Sequence, residues 1–222
     1  AKNTVDPEFT PKGSHEFPQH LKNIIQEKIN AADATGEYDA IILGFGLCGN
    51  ATEGLKAGKI PLIIPRAHDC CTILLGSRKR FIENFWDNLS AEWSSVGYME
   101  RGTSDFRESS TGKMLGSDKS YEEFVELYGE ENAKYIWETL HPNTGEGKEL
   151  IFIETPETAH LGYLDRIKEI AGKEKRPLRV IQGDTRLLRG LVEGSWDEAE
   201  YLIVPPGKQI KAVYDHETVI TV

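Results

Sequence analysis

The chain has 222 residues, a net charge of −10 and a hydrophobic content of 39%. That length allows one α/β domain with a full core, or two small ones. No apolar run approaches the roughly 18 to 20 residues that a membrane helix needs, and an acidic chain without a basic block argues against nucleic acid and anionic membranes.

The opening, residues 1–18, holds Pro7, Pro11, Gly13 and Pro18 and is expected to be extended or loop. Within it, Val5-Asp-Pro-Glu-Phe9 reads either as a cloning scar or as a native strand end and loop. Pro18 sits where a helix begins. Leu21, Ile24, Ile25, Ile29 and Ala32 follow at helical spacing, and Gly36 ends the helix. Residues 40–43 are a short apolar run suited to a strand covered on both faces. Residues 44–49 make a turn, and residues 51–57 are expected to form a short helix ended by Gly58. Residues 60–64 form a second buried strand, closed by Pro65. Residues 72–75 begin another helix, with Phe81, Phe85 and Trp86 continuing the packing.

Trp93, Val96, Tyr98 and Met99 suggest a strand, and residues 103–117 a Ser/Gly/Thr-rich loop. Ser120-Tyr-Glu-Glu123 is a capping box. It opens a helix carrying Phe124, Leu127, Tyr128, Ala133, Ile136, Trp137 and Leu140, with a break expected at Tyr128-Gly129. Residues 141–147 are a turn-rich linker. Then come a strand at 150–153, a helix at 159–171 and a strand at 178–181. Asp184 is placed as the N-cap of a helix carrying Leu187, Leu188 and Leu191 before Gly194. Residues 201–204 form a last strand, ended by Pro205-Pro206-Gly207, and residues 218–222 an edge strand.

Strands alternating with helices imply an α/β fold. The expected form is three-layered, with a mostly parallel sheet, helices on both faces and a helical insertion. Residues 1–222 read as a single α/β domain, with 103–147 as insertion and linker. Ligands of such sheets bind at the carboxyl ends of the strands. Cys48, His68, Cys70, Asp184 and Pro205-Pro206 all follow predicted strands and are expected to converge on one edge.

The three cysteines, with no charged-then-apolar leader at the start, are expected to be reduced thiols in a cytoplasm, available as ligands or nucleophiles. Gly44-Phe-Gly46-Leu-Cys48-Gly49 is literally a G-x-G-x-x-G after a strand and before an expected helix. Three readings stay open for it. One is a dinucleotide site of a Rossmann-like oxidoreductase, although the strand that should end in an acidic residue ends in Pro65-Arg66. The second is a plain tight turn. The third is a turn that presents Cys48 and offers backbone donors to an anion or cofactor. Cys48 itself is either a buried inert thiol or a ligand. His68-Asp69-Cys70 after the neighbouring strand favours the ligand. Two thiolates and an imidazole suit zinc, with a fourth position open, and Asp69 would orient the imidazole as an outer partner. An iron–sulfur cluster would need more cysteine. Nucleophilic catalysis by Cys48 or Cys70, with His68 as base, ranks below metal binding, because adjacent His and Asp seldom face each other. Arg66 is a candidate clamp for an anion. Asp184 is a cap before it is an acid, and Cys71 belongs in the core.

Residues 38–50, the run Ile64-Pro-Arg-Ala-His-Asp-Cys-Cys-Thr-Ile-Leu-Leu-Gly-Ser and Leu202-Ile-Val-Pro-Pro-Gly resemble a family of uncharacterised proteins. It is a domain of unknown function of methanogens and other anaerobes, often encoded beside trimethylamine-type corrinoid methyltransferases. The resemblance implies that Val5 to His15 is a native pattern. Members of the family usually begin with an additional strand ending in a Cys-containing turn, and this sequence starts after that point; if the element is absent, a central strand and a candidate fourth ligand are missing. The resemblance also implies that one cysteine, Cys70, is the rule in the second motif, so Cys71 is a departure.

The resulting expectation is a cytoplasmic metal-binding protein in corrinoid-dependent methyl transfer or one-carbon metabolism. Zinc would be held by Cys48, His68 and Cys70, with Asp69 outside them. Gly44, Gly46, Gly49, Arg66 and Asp184 would face an anion or cofactor. A corrinoid, reached through a corrinoid protein or methyltransferase subunit, is the implied partner chemistry. The alternative is a non-catalytic accessory protein for a corrinoid protein or metallocofactor.

Overall fold

The structure is a computed structural model. It describes residues 3–11, 14, 17–87, 91–101, 120–130, 132–135, 149–213, 215 and 217–222. The chain divides into two compact units, residues 1–89 with 182–222, and residues 90–181. The fold class is α/β, as expected from the alternation of elements.

The first unit is built on β2 (Leu62–Pro65), whose four residues are all buried. β1 (Ile41–Ile42) pairs with it in parallel, Ile41 opposite Leu62 and Ile42 opposite Ile63. β6 (Tyr201–Val204) pairs on the other side and runs antiparallel, Pro65 opposite Tyr201 and Leu62 opposite Val204. Successive side chains of a strand point to opposite faces, and both faces of β2 are covered. Leu62 and Ile64 pack with Leu21, Ile25 and Ile29 of helix α1 (Pro18–Thr35). Ile63 packs with Leu187 and Leu191 of a later helix, α7 (Arg186–Glu193). This gives three layers, helix on sheet on helix. Spacing of four residues puts Leu21, Ile25 and Ile29 on one stripe of α1, and the helix ends where Gly36 turns left-handed.

β2 leads into α2 (Cys70–Leu75) and then α3 (Arg78–Phe85). At the far end of the unit, β7 (Lys211–Ala212) and β8 (Ile220–Thr221) form an antiparallel pair. Asp215 shapes the connection, accepting hydrogen bonds from the backbone N–H groups of Glu217, Thr218 and Val219.

The second unit holds β3 (Glu92–Ser95), β4 (Leu150–Glu154) and β5 (Leu178–Gln182) in the order β3-β4-β5, with β3 parallel to β4. The strand expected to reach Met99 stops at Ser95, where α4 (Val96–Arg101) begins. Val96 and Met99 then sit at helical spacing, in a cluster with Leu150, Phe152, Ile167 and Ala171. Ile167 and Ala171 come from α6 (Tyr163–Lys173). The helix expected over 159–171 is divided: a 3-10 turn (Ala159–Leu161) ends at left-handed Gly162, and α6 starts beyond it. The capping box at Ser120 is formed in both directions and opens α5 (Tyr121–Tyr128), which stops at Gly129 as expected. The loop at 103–117, the continuation of that helix to 140 and the linker at 141–147 lie outside the described residues.

Two expectations for the first unit are corrected. No helix forms over residues 51–57. Cys48, Gly49, Asn50 and Gly54 all take left-handed backbone, so the segment is a chain of turns. It ends in a bridge of Lys56 to Gln209. The antiparallel sense of β6 also carries Pro205-Pro206 to the end of β2 away from Pro65, so this turn does not join the cysteines at one edge.

Ile64 is fully buried against α1. Ile64→Ala is expected to lower stability by about 2–5 kcal/mol, read as a reduced urea midpoint at unchanged slope.

Candidate functional site

The two parallel chains do not part at the ends of β1 and β2. Leu43 N–H donates to Ile63 O at 2.8 Å, Leu47 N–H to Ala67 O at 2.8 Å and Cys48 N–H to His68 O at 2.9 Å. The register that pairs Ile42 with Ile63 therefore continues through both turns and sets Cys48 across from Asp69. Gly46 makes this approach feasible. A Cβ there would lie 2.8 Å from both the N and Cα of Asp69, closer than real side chains come to backbone. Its carbonyl also accepts a bond from the buried Thr52 hydroxyl at 3.3 Å. Gly46 thus serves chain-to-chain packing. The fingerprint reading of residues 44–49 needs a helix N-terminus directly after the turn, and residues 51–57 supply none.

Cys48 stands at φ 46°, an uncommon backbone for a residue with a side chain. Its thiol is pushed up to about 12, first by burial and then by the neighbouring Cys70 sulfur, with Asp69 adding to both. The backbone N–H groups of Gly46 and Cys70 face the same sulfur and act the other way. The same register sets Cys48 one residue from Cys70 across the two chains. Cys71, the next residue, is fully buried; burial raises its thiol and Cys48 is not among its electrostatic neighbours. It belongs to the core, as the sequence suggested. All three cysteines carry thiols.

The other residues expected at the site each have a definite place in the fold. His68 is half-buried with its Nε2 inside the protein. Among the described residues, no three His, Cys, Asp or Glu side chains stand in a metal-holding group. Asp69 serves as the N-cap of α2: its Oδ1 accepts from the Thr72 N–H at 2.9 Å and lies 3.1 Å from the Thr72 hydroxyl. Asp-x-x-Thr before an apolar run is a cap pattern legible in the sequence.

Arg66 spends its guanidinium on the fold. Its Nε donates to Glu198 O at 2.9 Å and its Nη1 to the carbonyls of Thr218 and Ile220. Asp184 Oδ1 accepts from the Arg186 N–H at 2.9 Å, and its own N–H donates to Leu74 O at 2.8 Å. The cap residue of α7 is Thr185, one beyond the expected one. Asp184 backs onto Gly76, where a Cβ would meet its own Cβ at 2.8 Å. That places it at the C-terminal end of α2, whereas Cys70 opens the helix; six residues of helix span roughly 9 Å. Gly44 and Gly49 meet only van der Waals neighbours, Leu188 and Pro18. Sequence reasoning missed the roles of Gly46 and Gly76, both set by close approach of distant backbone. No local pattern signals such contacts.

Kinship is decided by a family model described as "Protein of unknown function (DUF1638)", which matches residues 9–192. The chain belongs to this family. No curated protein and no solved structure matches it. Both cysteine-bearing turns fall inside the DUF1638 match, whereas β6 and the β7–β8 pair lie beyond it. No helix among the described residues is long and apolar enough to cross a membrane.

Two outcomes are expected. Cys48 has a higher pKa folded than unfolded, where a thiol titrates near ~8.5. The stability this contributes is fully present below that pH and is lost as pH rises through about 12. The denaturation midpoint of the metal-free protein should therefore fall more steeply above pH ~9 for wild type than for Cys48→Ser. Gly46→Ala should cost about 1–3 kcal/mol in urea unfolding, because backbone rather than a flexible side chain must yield.

Proposed function

We propose that this protein binds a thiophilic metal ion, zinc foremost, through Cys48 and Cys70, and that it serves corrinoid-linked methyl transfer or one-carbon metabolism. One observation carries the metal reading: the backbone register past β1 and β2 sets Cys48 across from Asp69, one residue from Cys70. Two cysteine sulfurs are good donors for zinc, which lowers thiol pKa and takes both as thiolates. The burial that keeps Cys48 protonated without a cation is what a soft cation would overcome.

The pair supplies two of the four positions zinc prefers. His68, two residues before Cys70, is the third donor proposed from the sequence. Substrate or partner groups are proposed for the remainder. The methyl-transfer context rests on the family resemblance, with a corrinoid protein or methyltransferase subunit as the partner. A thiol activated on zinc is a suitable methyl acceptor.

A second reading, a non-catalytic accessory protein that hands a metallocofactor to such a partner, is favoured by one specific observation. Among the described residues no group of three or more His, Cys, Asp or Glu side chains stands ready for a metal, so completion by another molecule suits delivery as well as catalysis.

The test is metal stoichiometry after anaerobic purification, loading with zinc and desalting. Wild type and Cys71→Ser should retain one zinc per chain, while Cys48→Ser and Cys70→Ser should lose it. Full retention by Cys48→Ser overturns the ligand assignment. Methylation of a thiol substrate by the loaded protein with a methylated corrinoid partner separates the enzyme from the carrier.

A further inference from the structure

The same two turns carry chemistry that needs no metal. The register past β1 and β2 places Cys48 opposite Asp69, one residue from Cys70. Adjacent strands run about 4.8 Å apart, and disulfides form between Cα atoms roughly 4.4–6.8 Å apart. Both thiols are half-buried rather than sealed in the core. Cys48 also stands in left-handed backbone with N–H groups of both turns around its sulfur. Cys71 is fully buried. A bond between Cys70 and Cys71 would close a strained ring inside the first turn of α2.

We propose that Cys48 and Cys70 form an intramolecular disulfide, a covalent clasp joining the two turns, when the protein meets a small-molecule disulfide. In the first step one thiol, as its thiolate, attacks a sulfur of the oxidant. That S–S bond breaks, one small thiol leaves, and a mixed disulfide remains on the protein. In the second step the other protein thiol attacks the protein-bound sulfur, and a second small thiol leaves. The two protein protons end on the two released thiols. The cysteine pair is oxidised by two electrons and the oxidant is reduced by the same two. Proximity favours the second step over release of the mixed disulfide, since the resolving sulfur is already held beside its target. The clasp exists whether or not the metal reading holds. Its further consequence, that oxidation and metal binding exclude each other, rests on that reading, because a disulfide sulfur is not a thiolate ligand.

The experiment equilibrates the full chain, with chelator present, in buffers of graded oxidised and reduced glutathione. The samples are then acid-quenched, alkylated in denaturant and mapped by peptide mass. The expected product is a Cys48–Cys70 linked peptide with alkylated Cys71, reversed by dithiothreitol and formed equally well by Cys71→Ser. Stable glutathione adducts without the internal bond, alkylation of both Cys48 and Cys70 at every ratio, or a bond to Cys71 would each overturn the proposal. A second arm repeats the titration after zinc loading. Protection by zinc supports mutual exclusion and its absence overturns that consequence. If zinc never binds yet the linked peptide forms, the metal reading fails and the clasp stands. If zinc binds and no linked peptide forms, the reverse holds.

Discussion

The site depends on two parallel chains keeping step after their strands have ended. A sheet ladder normally stops where side chains or turns force the backbones apart. Here hydrogen bonds from Leu47 to Ala67 and from Cys48 to His68 continue the pairing of β1 with β2. The separation is held small because Gly46 has no Cβ to press on Asp69. Each buried backbone pair also satisfies polar groups that would otherwise be costly to remove from water. The same contact therefore sets Cys48 across from Asp69, one residue from Cys70.

Around these sulfurs the local environment is of mixed sign. Burial and the second thiol hold Cys48 protonated, while two backbone N–H groups point at it as if to receive a charge. Such a sulfur is quiet until a cation arrives or its partner is modified, and then its surroundings already include donors for the ionised form. Asp69 contributes from the cap of α2. The carboxylate holds the helix that carries Cys70 and so acts on the site through position.

Much of the first unit was legible. Pro18 and Gly36 bracket α1, and the apolar run from Leu62 to Ile64 reads as a central strand. In the second unit, Ser120 with Glu123 announces a cap. These signals are local. The failures share a cause: they depend on residues far away in sequence. Residues 51–57 look helical by composition, yet the segment is drawn into pairing with residues 207–210 and carries Gly54 at φ 77°. The direction of β6 cannot be read from an apolar run, and it decided where Pro205-Pro206 went. Val96 to Met99 suits a strand by residue type, but its burial follows a helical stripe. At the site, the placement of both cysteine-bearing turns after neighbouring strands was legible, because strand ends converge in this class of fold.

Arg66 directly follows β2 and opens the segment that leads to His68 and Cys70. Its fork grips carbonyls on the approach to β6 and on the closing stretch that includes β8. The chain's tail is thereby harnessed to the root of the thiol-bearing turn, like a stay running to the foot of a mast. Because Val219 and Ile220 are themselves buried in the core, that stay fastens the foot of the thiol-bearing turn to the core as well as to the tail.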